Sequence, residues 1–507
     1  MGVGAFIDGA IAPFFPRAAL SRANARSRFE AGRQYEAAVR DQRTKGWKRP
    51  STSADAENWR SLPGLRNGAR DLVRNSPYAN AAVRQVTANL VGDGVAPVFS
   101  HRNKRIAAKA QDGWKRWAEE PVDGFDDFYG CEKVATRGMV EGGESLVAWR
   151  PDAGGPDGRI EVLEGDFLDE TKMSAWVNGY RDVQGVRTDR NGDRVGYWLR
   201  DGHPGDAFAS TKWTSELAPA AHVDHVFERL RAGQTRGVSW LAAVALTLRD
   251  ISDIQDAFRL KKKVEACFSV FITSNGSDDN GAPISAEVTQ GQNGGPSQQA
   301  LRPGMVATLR DGQDIKFAAP TSTGDTLPMI RQALAGVSAV MAPYHLITGD
   351  VSQANYSSLR AANLGHWAML DDWQQNVIVP RLVKPAVRRR MRRMALELGE
   401  PRILQCGVSY VFPVRRAVDP VKDLMAEVIE VRAGLKLLSS ALAERGINAE
   451  DHLRQIAEMN KVIDTLELVL EVDPRSVTDG GILQTVAPFL MGQTGGEPAL
   501  AIGQSQD

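Results

Sequence analysis

The chain has 507 residues, of which 62 are Lys or Arg and 62 are Asp or Glu, so its formal net charge is zero. That balance excludes a protein whose whole surface grips nucleic acid or anionic membrane, and any such contact must be local. With 42% hydrophobic residues over this length, the chain can bury a large core and extend over more than one packed region.

Cys131, Cys267 and Cys406 are widely spaced and odd in number, which excludes a disulfide scaffold or a CxxC zinc module and predicts small buried hydrophobes in a reducing compartment. No run approaches 18 apolar residues, so no membrane contact is expected. The first residues lack a basic segment and carry Asp8, which argues against a signal peptide.

In chain order, residues 1–60 are rich in charge with scattered aromatics and read as an N-terminal arm. From 62, Leu72, Ala79, Ala82, Val83, Val86 and Leu90 fall at helical spacing, broken at Ser76-Pro77 and ended at Gly92. AAKAQDGWKRWAEE continues as helix. Residues 142–228 then switch to short β-rich runs cut by Gly, Asp and Asn, with RNGDR as a hairpin turn, which predicts an antiparallel β unit.

Leu241, Val244, Leu248, Ile251, Ile254, Phe258 and Val264 mark a long helix over 239–266, about 40 Å of rod at 1.5 Å per residue. Residues 274–300 are rich in Gly, Ser, Asn and Gln and read as an exposed loop. Strands are predicted in GMVATL and DIKFAAP, then a helix from about 327 to 342 and a long helix from about 357 to 397, kinked or broken at Pro380 and Pro385. VSYVFP is strand-like, 420–468 reads as two or three amphipathic helices with Asn448 suited to an N-cap, and the tail from about 471 is rich in Gly and Gln.

Catalytic motifs are absent. No GxxxxGK[ST], HExxH or GxSxG occurs, which removes a P-loop ATPase, a zincin and an α/β-hydrolase. By residue type the best metal candidate is His222-Val-Asp-His225, but histidines at i and i+3 of a strand do not point the same way, and a solvent-facing pair is the plain alternative. His345, following Pro343-Tyr344, reads as a packed structural residue.

Glu141, Glu144, Glu161, Glu164 and Asp166 could bind two cations as a nuclease does, against solvated strand edges as the bland account. Arg388, Arg389, Arg390, Arg392 and Arg393 form a basic run whose opposite aspect carries Val387, Met391, Met394 and Leu396. It is either a DNA patch or a solvated or interface face pairing with acids such as Glu397.

The ordered string RDLVRNSPYANAAVRQVTANLVGDGV (70–95), EGGESLVAW (141–149), LEGDFLD (163–169), RGVSWLAAVALTLRDISDIQDA (236–257), LRPGMVATLRDGQDIKFAAP (301–320), YHLITGDVSQANYSSLRAA (344–362) and VDPVKDLMAEVIEVRAGL (418–435) resembles the lambda-type family of tailed-phage portal proteins. The resemblance implies an α+β subunit of a ring, usually of twelve copies, at one capsid vertex, with no cofactor, no metal and no enzymatic activity. It implies a wing (61–238), a stem helix (239–266), a clip (267–323), a second stem helix (324–342), a channel loop (343–358), a long wing helix with a return strand (359–419) and a helical crown (420–470). Double-stranded DNA in the channel, the major capsid protein, scaffold, the terminase large subunit and a head-tail adaptor are the implied partners. The implied location is the virion, after assembly in the host cytoplasm.

Under that resemblance the channel loop is Asp350, Val351, Ser352, Gln353, Ala354, Asn355, Tyr356 and Ser357, polar but without a basic cluster, as suits contact with sliding DNA, and with Asp350 set to repel phosphate. Arg249, Asp250, Asp253, Lys261 and Lys262 are the implied stem residues lining the channel.

Overall fold

The computed structural model describes residues 45–150, 159–206, 214–267, 271–274, 313–316, 326–352, 354–415, 420–445, 447 and 449–468, together with Arg17, Ser21 and Gln42. The expectations for most of the arm, the 275–300 loop, the GMVATL strand, the Asn448 cap and the tail lie outside these residues. The chain divides into two units, Met1–Ala56 and Glu57–Asp507. In the first, the Arg49 guanidinium lies 4.7 Å from the Trp47 ring centroid.

The second unit mixes helices and antiparallel sheets. Two helices open it, α1 (Leu62–Asn75) and α2 (Pro77–Leu90), split where Ser76 turns extended and accepts a hydrogen bond from the Ala79 N–H. Strand β1 (Ala96–Ser100) follows, then α3 (Lys104–Ala118) and α4 (Phe128–Gly142). The predicted β unit resolves into two sheets. Strands β2 (Glu144–Arg150), β3 (Arg159–Glu164) and β8 (Val223–Phe227) form one in the order β3-β2-β8. Strands β4 (Tyr180–Val183), β5 (Val186–Asp189), β6 (Arg194–Arg200) and β7 (Ser215–Pro219) form a meander.

RNGDR is the β5–β6 turn: Asp189 Oδ1 accepts from the N–H groups of Asn191 and Asp193, and Gly192 sits at φ 86°. A small core of Leu146, Leu163, Leu168, Val186 and Tyr197 includes residues of both sheets.

The rod helix α5 is Ala245–Cys267, so it begins six residues later than predicted. Trp240 to Val244 form turns instead, with the Trp240 N–H donating to Val140 O. The root of α5 is anchored in the core by Leu248 and Ile251, which are buried, whereas Leu246 and Leu260 are exposed. Strands β9 (Phe271–Ser274) and β10 (Gln313–Lys316) pair antiparallel beyond it. Helix α6 (Thr326–Ser338) returns and packs against α5, again with buried residues, Leu334 and Val337, toward its C-terminal end.

After α7 (Tyr344–Thr348) comes α8 (Tyr356–Trp373), a π-helical stretch over Gln374–Val383 and α9 (Lys384–Glu397). Pro380 lies inside the π stretch, where the wider turn accommodates its missing N–H. Pro385 is the second residue of α9, directly after the π stretch, and the helix runs on through it. β11 (Gly407–Val411) pairs with β1, and α10 (Pro420–Arg432), α11 (Leu438–Ala443) and α12 (Ala449–Thr465) end the described chain.

The main core runs through α1–α4, β2, β8, the root of α5 and α9. Cys131 and Cys406 are buried free thiols in it. Among the described residues no helix is long and apolar enough to cross a membrane.

Gly143 closes α4 at φ 95°, and a Cβ there would lie 2.5 Å from the Ser239 backbone nitrogen. Gly143→Ala is therefore expected to destabilise this unit by about 1–3 kcal/mol, read by urea denaturation, because both the left-handed backbone and the close approach require glycine.

Candidate functional site

The 343–358 segment is built as two caps around a tight turn. Gly349 at φ 71° ends α7, its N–H donating to His345 O. Asp350 Oδ1 then accepts from the Ser352 N–H (3.0 Å) and hydroxyl (2.6 Å), and those two bonds, with Arg331 and Tyr344 nearby, hold its carboxyl below the usual range. Asp350 Oδ2 lies 3.5 Å from Arg331 of α6 and 3.4 Å from the Tyr344 hydroxyl. Its charge is therefore partly met within the chain by Arg331.

Asn355 and Ser358 form a reciprocal cap that starts α8: Asn355 Oδ1 accepts from the Ser358 N–H at 2.8 Å, and Ser358 Oγ accepts from the Asn355 N–H at 2.9 Å. The Tyr356 hydroxyl accepts from Arg360, and the Lys422 ammonium of α10 stands 5.1 Å from the Tyr356 ring centroid. Val351, Ser352 and Ser357 are exposed, Ala354 is half-buried, and Gln353 lies outside the described residues. The segment is a pinned polar turn without a cation of its own.

On α5, Arg249, Asp250, Asp253 and Lys262 are exposed and Lys261 is half-buried, with the Lys262 ammonium 5.6 Å from the Phe258 ring. The arginine run is largely committed inside the chain. Arg389 pairs with Asp224, donates to Ala221 O and lies over the Trp149 ring. Arg390 is buried and, with Arg393, pairs with Glu397. Arg388 and Arg392 are exposed without an ion pair among the described residues. Val387, Met391 and Met394 are buried as expected, but Leu396 is exposed and Ala395 takes its place in the core.

Of the predicted acidic set, Glu161 and Glu164 lie solvent-accessible on the edge strand β3, as the solvated reading expected, but Glu144 does not. Glu144, the first residue of β2, is fully buried and enclosed by donors. Arg236 reaches it with Nε at 2.9 Å and Nη2 at 2.5 Å, the Gly237 N–H donates at 3.0 Å, and His225 Nε2 lies at 2.8 Å. Burial alone would raise its pKa, but the Arg236 and His225 contacts reverse the sign and hold it well below the carboxylate range.

Arg194 donates to His225 Nδ1, so the imidazole is neutral with its proton on Nε2, directed at Glu144. Burial, with Arg194 and Arg236 nearby, lowers its pKa to about 4. His225 is thus a core residue and His222 an exposed one, so the two are neither a metal pair nor a solvent-facing pair.

Arg66 of α1, 3% exposed, contacts Asp166 at 2.9 Å and Glu170 at 2.8 Å. Arg70 reaches both Glu164 and Asp166 at 2.6 Å. Glu164, Asp166 and His203 do converge with metal-ligand spacing, but the Arg70 guanidinium already holds the two carboxylates. Glu141 pairs with Arg137, and Glu161 with Arg150.

Sequence reasoning missed Arg66, Arg70, Glu170 and Arg236. No local pattern announces them, and their number and spread become meaningful only once five segments meet.

Comparison with known proteins bears on the whole arrangement. The family described as phage portal protein, lambda family, matches residues 40–374. The portal protein of Escherichia phage N15 is 24% identical over 477 residues, covering 81% of this chain and 86% of its own length. Portal protein B of Escherichia phage lambda is 23% identical, covering 81% and 86%. Among solved structures, the neck of a native gene transfer agent particle computed with C12 symmetry is similar, with a TM-score of 0.43, 15% identity and coverage of 80% of this chain and 96% of that one.

Proposed function

This chain belongs to the lambda family of phage portal proteins, and we propose that twelve copies of it close into a ring at one capsid vertex, without enzymatic activity, and pass double-stranded DNA through the centre. In this reading α5 and α6 are the stem, residues 267–323 the clip, 61–238 the wing and 420–470 the crown. The clip is the docking site for the terminase large subunit and later the head-tail adaptor. The wing meets the major capsid protein and scaffold and nucleates assembly in the host cytoplasm, after which the ring remains in the virion.

The observation that carries the ring is the two-helix projection. α5 and α6 pack on each other, yet Leu246 (78% exposed), Leu260 (63%), Leu327 (68%) and Met329 (57%) remain uncovered in a single copy. Apolar surface of this kind on a projecting rod favours burial against neighbours. Twelve chains of 55.2 kDa give a particle of about 0.66 MDa, which native mass spectrometry with negative-stain imaging would detect as a closed ring with a central hole. A monomer that cleaves DNA with Mg²⁺ would overturn the reading.

The 350–357 turn joins the second stem helix to α8 and presents exposed hydroxyls without a cation, as a surface for sliding DNA requires. Ser352→Arg with Ser357→Arg is expected to slow packaging by adding phosphate contacts. The salt dependence of DNA retention should steepen by about 0.9 in log–log slope for each phosphate newly neutralised. Packaging assays at graded salt measure both.

A further inference from the structure

We propose that the groove at the elbow of α1 and α2 receives the outer flank of α5 from a neighbouring copy, with Arg74 and Arg84 of one chain pairing with Asp250 and Asp253 of the next. The inference rests on the ring reading and specifies one of its contacts.

The elbow encloses a groove of about 740 Å³ lined by Arg74, Asn75, Pro77, Ala81, Arg84 and Ala88. Arg74, from the last turn of α1, and Arg84, from the middle of α2, are both exposed, and neither has an ion pair or hydrogen bond among the described residues. The alanines between them leave room for a helix to approach closely. This is a cationic groove without an anion.

The complementary surface lies on α5. At 100° per residue, Leu246, Asp250, Asp253 and Leu260 share one flank, opposite Leu248, Ile251 and Gln255. The second flank faces the chain's own body: Leu248 and Ile251 are buried, and the Gln255 amide donates to the Tyr78 hydroxyl of α2 at 3.1 Å. The first flank points away from it, and Asp250 and Asp253 are exposed without a partner among the described residues. A chain cannot therefore bring its own α5 acids to its own elbow, whereas a head-to-tail neighbour can, and a head-to-tail contact that closes makes a ring. Two acids between two exposed leucines complement in charge two arginines flanking a small-residue floor.

The test is a charge exchange in the full chain. Arg74→Glu/Arg84→Glu and Asp250→Lys/Asp253→Lys each place like charges across the contact. Each double variant alone is expected to lose about tenfold or more of its ring fraction in low salt, with the loss shrinking as salt rises. Mixed one to one, the two variants restore opposite charges at every contact, so native mass spectrometry should show rings with equal numbers of the two chains. All four side chains are exposed, and rescue by mixing cannot come from misfolded copies. Closure of either variant alone as efficiently as wild type, or failure of the mixture to restore rings while circular dichroism shows both chains folded, would overturn the proposal and leave the ring standing. A wild-type chain that forms no ring in any condition would overturn the ring itself.

Discussion

Arg236→Ala is expected to destabilise the Glu57–Asp507 unit by about 3–5 kcal/mol, because it leaves the Glu144 carboxylate buried and short of its principal counter-charge. The side chain is fully buried and all three of its nitrogens donate: Nε and Nη2 to Glu144, Nη1 to Gln184 O at 2.7 Å and Nη2 also to Gly165 O at 2.9 Å. Those contacts tie β2 to the turn after β3 and to the loop before β5, so two sheets depend on one guanidinium. Urea denaturation of the variant measures the loss. The double variant Arg236→Met/Glu144→Leu should recover part of it, since removing both charges removes the desolvation cost that made the single change severe but leaves the Gly237 N–H and His225 Nε2 without their acceptor.

The deficit should also depend on pH. With Arg236 gone, Glu144 and His225 together can take up a proton, which supplies either a neutral acid or an imidazolium partner. The variant should therefore lie closer to wild type at pH 5 than at pH 8. An equal deficit at both values would mean that the lost hydrogen bonds to Gln184 and Gly165 outweigh the unpaired charge.

That cluster also marks the limit of what the sequence reveals. The helices from 62 to 118 and the root of the rod follow from local apolar spacing, because a 3.6-residue period is visible wherever one face alone is buried. α4 escaped for a local reason: Phe128–Gly142 carries Gly130, Gly138 and Gly142, which weaken its helical signal, and its burial is supplied by α1, α2 and β2. β1 escaped for a distant one, since its partner β11 lies some 300 residues along the chain and no local pattern encodes such a pairing. The start of α5 was misplaced because Leu241 and Val244 keep helical spacing while packing from turns.

The 343–358 segment was legible as polar composition. Its tertiary contacts were not, because Asp350 meets Arg331 only when α6 folds back beside it. Of the two readings of the arginine run, pairing with acids such as Glu397 is the one met by Arg390 and Arg393, while Asp224, the partner of Arg389, lies far away in sequence and was not foreseen.

Glu132→Gln should do the reverse of Arg236→Ala and stabilise the fold. Glu132 is fully buried on α4, and both carboxyl oxygens share one donor, the Val95 N–H, at 3.3 and 3.1 Å. Burial without a cation pushes its pKa up to about 8, the Val95 bond opposing the shift only in part. The folded chain therefore holds this proton to about pH 8, while the unfolded chain releases it near 4.5. Folding takes up a proton throughout that window, and stability falls as pH rises through it, levelling off above the folded value.

At pH 7.5 the linkage costs about 4 kcal/mol. An amide of the same shape escapes that cost but brings one further N–H to satisfy, at about 1–2 kcal/mol. A net gain of about 2–3 kcal/mol is expected at pH 7.5, vanishing or reversing near pH 4.5. Denaturation of the two chains across this range isolates Glu132, since Asp169 and Glu144, whose pKa values are depressed, contribute equally to both and act only at the acid end. A difference between the chains that stays constant with pH would mean that Glu132 is ionised in the folded state, met by a counter-charge close enough to offset its burial.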